Sequence, residues 1–239
     1  MKHVALLLAV LMVAGSAQAV TTVLREGGEY NEDGAIDVSF DVLSITDDGV
    51  DGLANAPDYY SAMASDPAFY VIGVKDMMSY LPADPNDIVS VTLTLVQMWG
   101  DNDYLDCYRI TTPWMTDAAG ASEFNTNWYY ADIANTTTWS AGDFSTADYT
   151  TADGAHADFD ESVYADPYDY DVTAQVLAMY TDGNNGWVAF SEPDLSVNTY
   201  SEDTDIHKRP YVTIEYVPEP ATIGLLAIGG IGALIRRKR

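Results

Sequence analysis

Alternation of apolar and polar residues dominates the middle and end of the chain. In Ile88–Trp99, Val89, Val91, Leu93 and Leu95 alternate with Ser90, Thr92 and Thr94, the period of a strand with one face on a core and one toward water. Tyr211–Tyr216 repeats the pattern, with Val212, Ile214 and Tyr216 on one face and Thr213 and Glu215 on the other. Ala35–Phe40, Phe69–Val74, Leu105–Ile110 and Trp187–Phe190 read as further short strands, separated by clusters of Asp, Asn, Gly, Ser and Thr. One stretch departs from this period. Thr173–Tyr180 predicts a short helix, capped by Thr173, stapled by Val172 and Leu177, and followed by Gly183. The pattern predicts an all-β protein, an antiparallel β-sandwich with one short helix.

The two ends follow other rules. Met1-Lys2-His3, the apolar run 4–14 and a close at Ala17-Gln18-Ala19 have the three parts of a secretory signal peptide, with cleavage after Ala19. At the other end Val217-Pro218-Glu219-Pro220 leads into fifteen uncharged residues, 221–235, and then Arg236-Arg237-Lys238-Arg239. As a helix the run spans about 22 Å, short of a hydrocarbon core of about 30 Å. Snorkelling arginines and local thinning of the bilayer make up the difference. The basic end keeps its side in the cytoplasm and leaves the preceding domain outside. The chain thus divides into a leader (1–19), one domain (20–217) and a tail (218–239) with a transmembrane helix at 221–235 and a basic end at 236–239.

Charge sharpens the picture of the domain. Residues 20–217 hold 36 of the 37 acids and five basic residues, Arg25, Lys75, Arg109, Lys208 and Arg209. Nucleic acid is excluded as a partner, because phosphate binding depends on Lys and Arg. The single cysteine, Cys107, excludes an internal disulfide and a cysteine-rich metal site, and its place in a strand marks it as a buried, inert thiol. The domain's two histidines, His156 and His207, lie on loop-like stretches without a Gly-x-Ser-x-Gly elbow or a His-Glu-x-x-His motif. The expectation is a protein that is not an enzyme, with no catalytic residues. A polysaccharide-active enzyme, using two opposed carboxylates, is the third reading.

Binding chemistry has two candidates. Asp47, Asp51 and Asp58, with Gly52 as a turn, loosely follow the spacing of a calcium loop, and Asp101-Asn102-Asp103 with Asp106 is an alternative. Calcium is the one cofactor considered; the plainer reading of both stretches is solvated loop. The domain also holds 28 aromatic residues. Trp114, Trp128 and Trp139, with Tyr129, Tyr130 and Tyr149, offer rings that stack on sugars or, alternatively, fill a sandwich core.

Two resemblances follow from these motifs. The tripartite tail resembles the PEP-CTERM sorting signal of Gram-negative bacteria. That resemblance implies export by the secretion machinery, transient anchoring in the inner membrane, and processing near Pro218-Glu219-Pro220 by an exosortase-type enzyme. Delivery to the envelope, surface or extracellular matrix follows. In the domain, IGVKDMMSYLP (72–82), SVTLTLV (90–96), TTPWMTD (111–117), SAGDF (140–144), DYDVTAQVLAMY (169–180), GNNGW (183–187) and SEDTDIHKRPYVTIEY (201–216) occur in order. That series resembles the DNRLRE domain, a jelly-roll-like β-sandwich related to carbohydrate-binding modules. It implies a structural role for Trp114 and Trp139. The eponymous arginine-bearing segment of that family is not visible. Together the readings predict an exported, non-catalytic protein with a structural or adhesive role. The alternative is a carbohydrate-binding module for extracellular polysaccharide.

Overall fold

The fold is that of a computed structural model, described over residues 18–26, 34–46, 60–62, 68–100, 104–116, 126–158, 167–190, 197–199 and 205–218. In chain order its strands begin with β1 (Val20–Arg25), β2 (Ile36–Asp37), β3 (Phe40–Thr46), β4 (Tyr60–Ala62) and β5 (Ala68–Val74). Next come β6 (Ile88–Gly100), β7 (Tyr104–Ile110), β8 (Tyr130–Asp132), β9 (Thr137–Thr138) and β10 (Tyr149–Asp158). The series ends with β11 (Pro167–Asp171), helix α1 (Thr173–Asp182), β12 (Trp187–Phe190), β13 (Val197–Thr199) and β14 (Tyr211–Tyr216). Residues 1–17 and 219–239, which hold most of the expected leader and the expected transmembrane helix, lie outside the described residues. Among the described residues no helix is long and apolar enough to cross a membrane.

Two sheets share one core. The first runs β2-β1-β14-β6-β13-β4, with β11 also paired to β6; the second runs β10-β7-β12-β5-β3. All these pairings are antiparallel except β1 with β2. This mostly-β, antiparallel arrangement with one α-helix is consistent with the expected sandwich. From the first sheet Leu24, Val91, Leu93, Leu95, Tyr170, Val212 and Ile214 enter the core, and from the second Tyr70, Ile72, Leu105, Cys107, Trp187 and Ala189.

The second sheet is covered on its other face as well. Phe69 of β5, Tyr108 of β7, Tyr149 of β10 and Phe190 of β12 share that face by register. Against them pack Trp128 and Phe144 from the segment between β7 and β10, with ring centroids 5.8 and 5.2 Å from Phe69. Trp139 closes edge-on over Phe144 at 4.9 Å. Burial on both faces explains why Phe69–Val74 and Trp187–Phe190 are continuous apolar runs, whereas one-sided β6 and β14 alternate.

Four local expectations are corrected. Ala35–Phe40 is not one strand: β2 adds in parallel to β1, with Leu24 opposite Ile36, and the chain then crosses to the second sheet as β3. Val89 does not join the core face. A bulge between Glu215 and Tyr216 sets Ile88 opposite Tyr216 and leaves Val89 out of register, 52% exposed. Thr94 is buried rather than wet, because β11 pairs with that stretch of β6 and Asp169, directly opposite, accepts its hydroxyl through Oδ1 at 2.6 Å. Helix α1 has Val172 at its N-cap with no side-chain cap, and Thr173 is its first residue. Thr173 Oγ1 instead accepts the Val91 N–H at 2.9 Å and donates to Asp171 Oδ1 at 2.6 Å. Leu177 is exposed, so the staple is absent; Gly183 does end the helix, its N–H donating to the Met179 carbonyl.

Candidate functional site

Three separated segments converge beside the second sheet. After β5 the chain turns through Lys75-Asp76, where Asp76 sits in the left-handed region at φ 54°. After β7 comes Pro113-Trp114-Met115-Thr116, and after α1 comes Asn184-Asn185. Their hydrogen bonds bind them to one another. The Trp114 indole N–H donates to the Asn185 carbonyl at 2.6 Å. Asn184 Nδ2 donates to the Val74 carbonyl at 2.8 Å, and Asn185 Nδ2 to the Thr111 carbonyl at 3.0 Å. With Asp132 and Thr137 from the β8–β9 hairpin, these segments line a cleft of about 580 Å³. That volume suits a small ligand.

The cleft mixes chemistries. Met78, Pro113 and Met115 give it apolar wall, and Lys75, Asp76, Ser79 and Asp132 give it polar groups. Asp132 is buried, and Asn135 donates to it through both its backbone N–H (3.1 Å) and its side-chain amide (2.8 Å). Hydrogen bonding, the Asn135 side chain foremost, holds its carboxyl below the usual carboxylate range, so it is an anion at neutral pH. Sequence reasoning did not assemble this cleft. Its signal was nevertheless present, since IGVKDMMSYLP, TTPWMTD and GNNGW each supply one wall.

Of the two readings of the aromatic set, the three tryptophans take the core-filling one. Trp114, Trp128 and Trp139 are all buried. The Trp139 indole N–H is consumed by the Asn127 carbonyl at 2.8 Å, and Tyr149 stacks inward on Tyr108 and Phe144. The tryptophans join the core cluster because segments 111–116 and 126–148 fold back over the sheet. Trp114 and Trp139 are each 1% exposed, with the indole N–H bonded to a backbone carbonyl.

The remaining chemical candidates are placed as follows. Cys107 is fully buried, and desolvation pushes its thiol far above the usual range. Arg109 is buried in β7, with Nη1 3.0 Å from Asp182 Oδ2 of α1 and Nε 3.7 Å from Asp153 Oδ2 of β10. Gln175 of α1 donates to the Cys107 and Asp153 carbonyls at 2.9 and 2.8 Å, so helix and strands are bound at the same place. His207 is exposed on the turn Ile206–Lys208. Asp47, Asp51 and Asp58, like Asp101 and Asp103, lie outside the described residues. Among the described residues no group of three or more His, Cys, Asp or Glu is gathered as a metal-ligand set.

Asp106, the described member of the alternative calcium stretch, is engaged by His156, which lies opposite it in β10 and not on the expected loop. Nδ1 of His156 lies 2.8 Å from Asp106 Oδ1, and Nε2 lies 3.2 Å from Asp158 Oδ1. Only the imidazolium donates from both nitrogens, and its pKa is raised, chiefly by the hydrogen bond to Asp106. A raised folded-state pKa stabilises the fold fully below the unfolded value of about 6.5 and loses that contribution as pH rises through the folded value. The melting-temperature gap between wild type and His156→Gln is therefore expected to be wider at pH 6 than at pH 8.5. Equal gaps would show that the protonated pair contributes nothing.

The last geometry concerns the tail. β14 ends at Tyr216, and the Val217 N–H donates to the Asp87 carbonyl at 2.8 Å, so the body keeps hold of the chain to its final described residues. Val20 pairs with Tyr216, which sets the start of β1 beside the start of the tail. No curated protein matches the chain. Residues 217–239 match the family model described as the PEP-CTERM protein-sorting motif. The chain therefore ends in a sorting motif of the kind that implies export and membrane-anchored sorting in Gram-negative bacteria, with processing by an exosortase-type enzyme.

Proposed function

We propose that the protein is a non-catalytic component of the cell envelope or extracellular matrix, with a structural or adhesive role. Its body is read as a jelly-roll-like domain of the DNRLRE kind, presented by the sorting tail. The observation that carries this reading is the join: the sorting motif opens at Val217, the residue after β14, so the sandwich itself is the cargo. The chemistry of the body supports a structural role. Cys107 is buried in the core, His156 is held between two carboxylates, and Arg109 fastens the helix to the strands. The leader ending at Ala17-Gln18-Ala19 suits delivery through the secretion machinery.

Replacing Pro218-Glu219-Pro220 with alanines is expected to leave the protein in the inner membrane. Cell fractionation tests this, and release of the mutant at the wild-type level would count against sorting through the motif.

A second reading, binding of extracellular polysaccharide, is favoured by the cleft beside Trp114. Its carboxylates, amides and thioethers offer hydrogen bonds and apolar contact to a neutral sugar, and Asp76 and Asp132 disfavour an acidic one.

A further inference from the structure

Body and anchor meet with almost no slack. Val217 is still hydrogen-bonded to Asp87, Pro218 is half-buried, and the uncharged run begins at Ala221. At full extension the chain from Val217 to Ala221 reaches about 14 Å. The headgroup layer alone takes up about 5–8 Å of that. A body anchored through this tail is confined to the bilayer surface, with the Tyr216 end of its first sheet toward the lipid.

That end carries exposed apolar side chains. Val20 pairs with Tyr216 on one side of β14 and is 39% exposed. On the other side the bulge opposite Tyr216 turns Val89 outward, 52% exposed. In water these valines gain nothing from their position. At a bilayer interface they bury apolar area, and the half-buried Tyr216 between them suits the headgroup level. The charges around them select the lipid. Asp84, Asp87 and Glu215 lie at this end and Glu219 is in the spacer, so an anionic leaflet would repel it. The basic residues Lys208 and Arg209 sit at the opposite end of β14.

We infer that the anchored body is seated on zwitterionic phospholipid through Val20 and Val89, which enter the headgroup region. The seat rests on the tail acting as a membrane anchor. It fixes the body's orientation, with the Tyr211 end of β14 directed away from the lipid.

The test uses the chain left by cleavage after Ala19, Val20 to Arg239, in phosphatidylcholine vesicles, with flotation to establish anchoring. A thiol-directed environment-sensitive fluorophore is placed at Val89→Cys, at Val20→Cys, or at His207→Cys near the opposite end; the buried Cys107 stays unlabelled. Headgroup-attached quenchers are expected to quench the labels at 89 and 20 several-fold more strongly than the label at 207. Vesicle-bound chains in which all three labels quench alike would overturn the seat alone. Chains that fail to float would overturn the anchored reading and the seat with it. The two valine positions report independently, so a disturbed bulge at position 89 does not decide the outcome.

Discussion

Replacing Asp148 with alanine is expected to destabilise the body by about 3–5 kcal/mol, because it orphans several donors around a buried carboxylate. Asp148 has no measurable exposure and sits immediately before β10. Its Oδ1 accepts the Thr112 hydroxyl and the Ser140 N–H, both at 2.8 Å. Its Oδ2 accepts the Ser145 N–H at 3.1 Å and the Ser145 hydroxyl at 3.3 Å. The Asp148 carbonyl also takes the Thr111 N–H at 2.7 Å. One side chain thus joins the exit of β7 to the aromatic segment lying over the second sheet. Asp148→Asn retains one acceptor oxygen but turns an amide N–H₂ toward donors, so its loss should fall between alanine and wild type. Chemical denaturation measures both. A loss below about half a kcal/mol for the alanine variant, the range of an ordinary surface change, would mean that water replaces the carboxylate freely.

Gly186→Ala should cost about 2–5 kcal/mol, for two reasons that add. Gly186 has φ +66°, where a Cβ is strained, and a Cβ there would collide with the Ile72 carbonyl oxygen. The obstacle is backbone of a strand paired on both sides, since Ile72 pairs with both Val42 and Trp187, so it yields only if β5 moves. Gly142 is the control. It too has positive φ, at +106°, but nothing lies within 4 Å of its would-be Cβ, so Gly142→Ala isolates the conformational cost. Equal losses for the two variants would show that the close approach of Gly186 to β5 is unimportant.

Regular alternation made β6 and β14 of the first sheet legible, whereas β1, β4, β11 and β13 were not read from it. Tyr211–Tyr216 has the expected bounds, and β6 runs one residue past its expected end. The runs Phe69–Val74 and Trp187–Phe190 were also legible as strands, although nothing in them says that a second layer covers the outer face. That layer is built from residues 126–148, whose strands are two or three residues long and whose order depends on side-chain-to-backbone bonds. Such bonds leave no period in a sequence. Val89 shows the same limit within a well-read strand, since a bulge is a property of two paired strands and the inward phase of β6 alone cannot reveal it. The cleft was hidden for a third reason. Lys75, Trp114 and Asn185 are far apart in the chain and meet only because β5, β7 and α1 all end at one side of the molecule. The sorting motif was legible because it is contiguous and is read by an enzyme as a linear signal.

The position of β14 also governs how the protein carries load. Its neighbours are β1 and β6, both antiparallel to it, and the tail leaves from its end. Ladder hydrogen bonds run perpendicular to the strand. Tension between the tail and the opposite end of the body therefore shears both ladders along their length. The bonds bear that force together instead of opening one after another, as they would if the tail peeled off an edge strand. An attachment of this kind resists being pulled from its anchor until the sheet as a whole gives way.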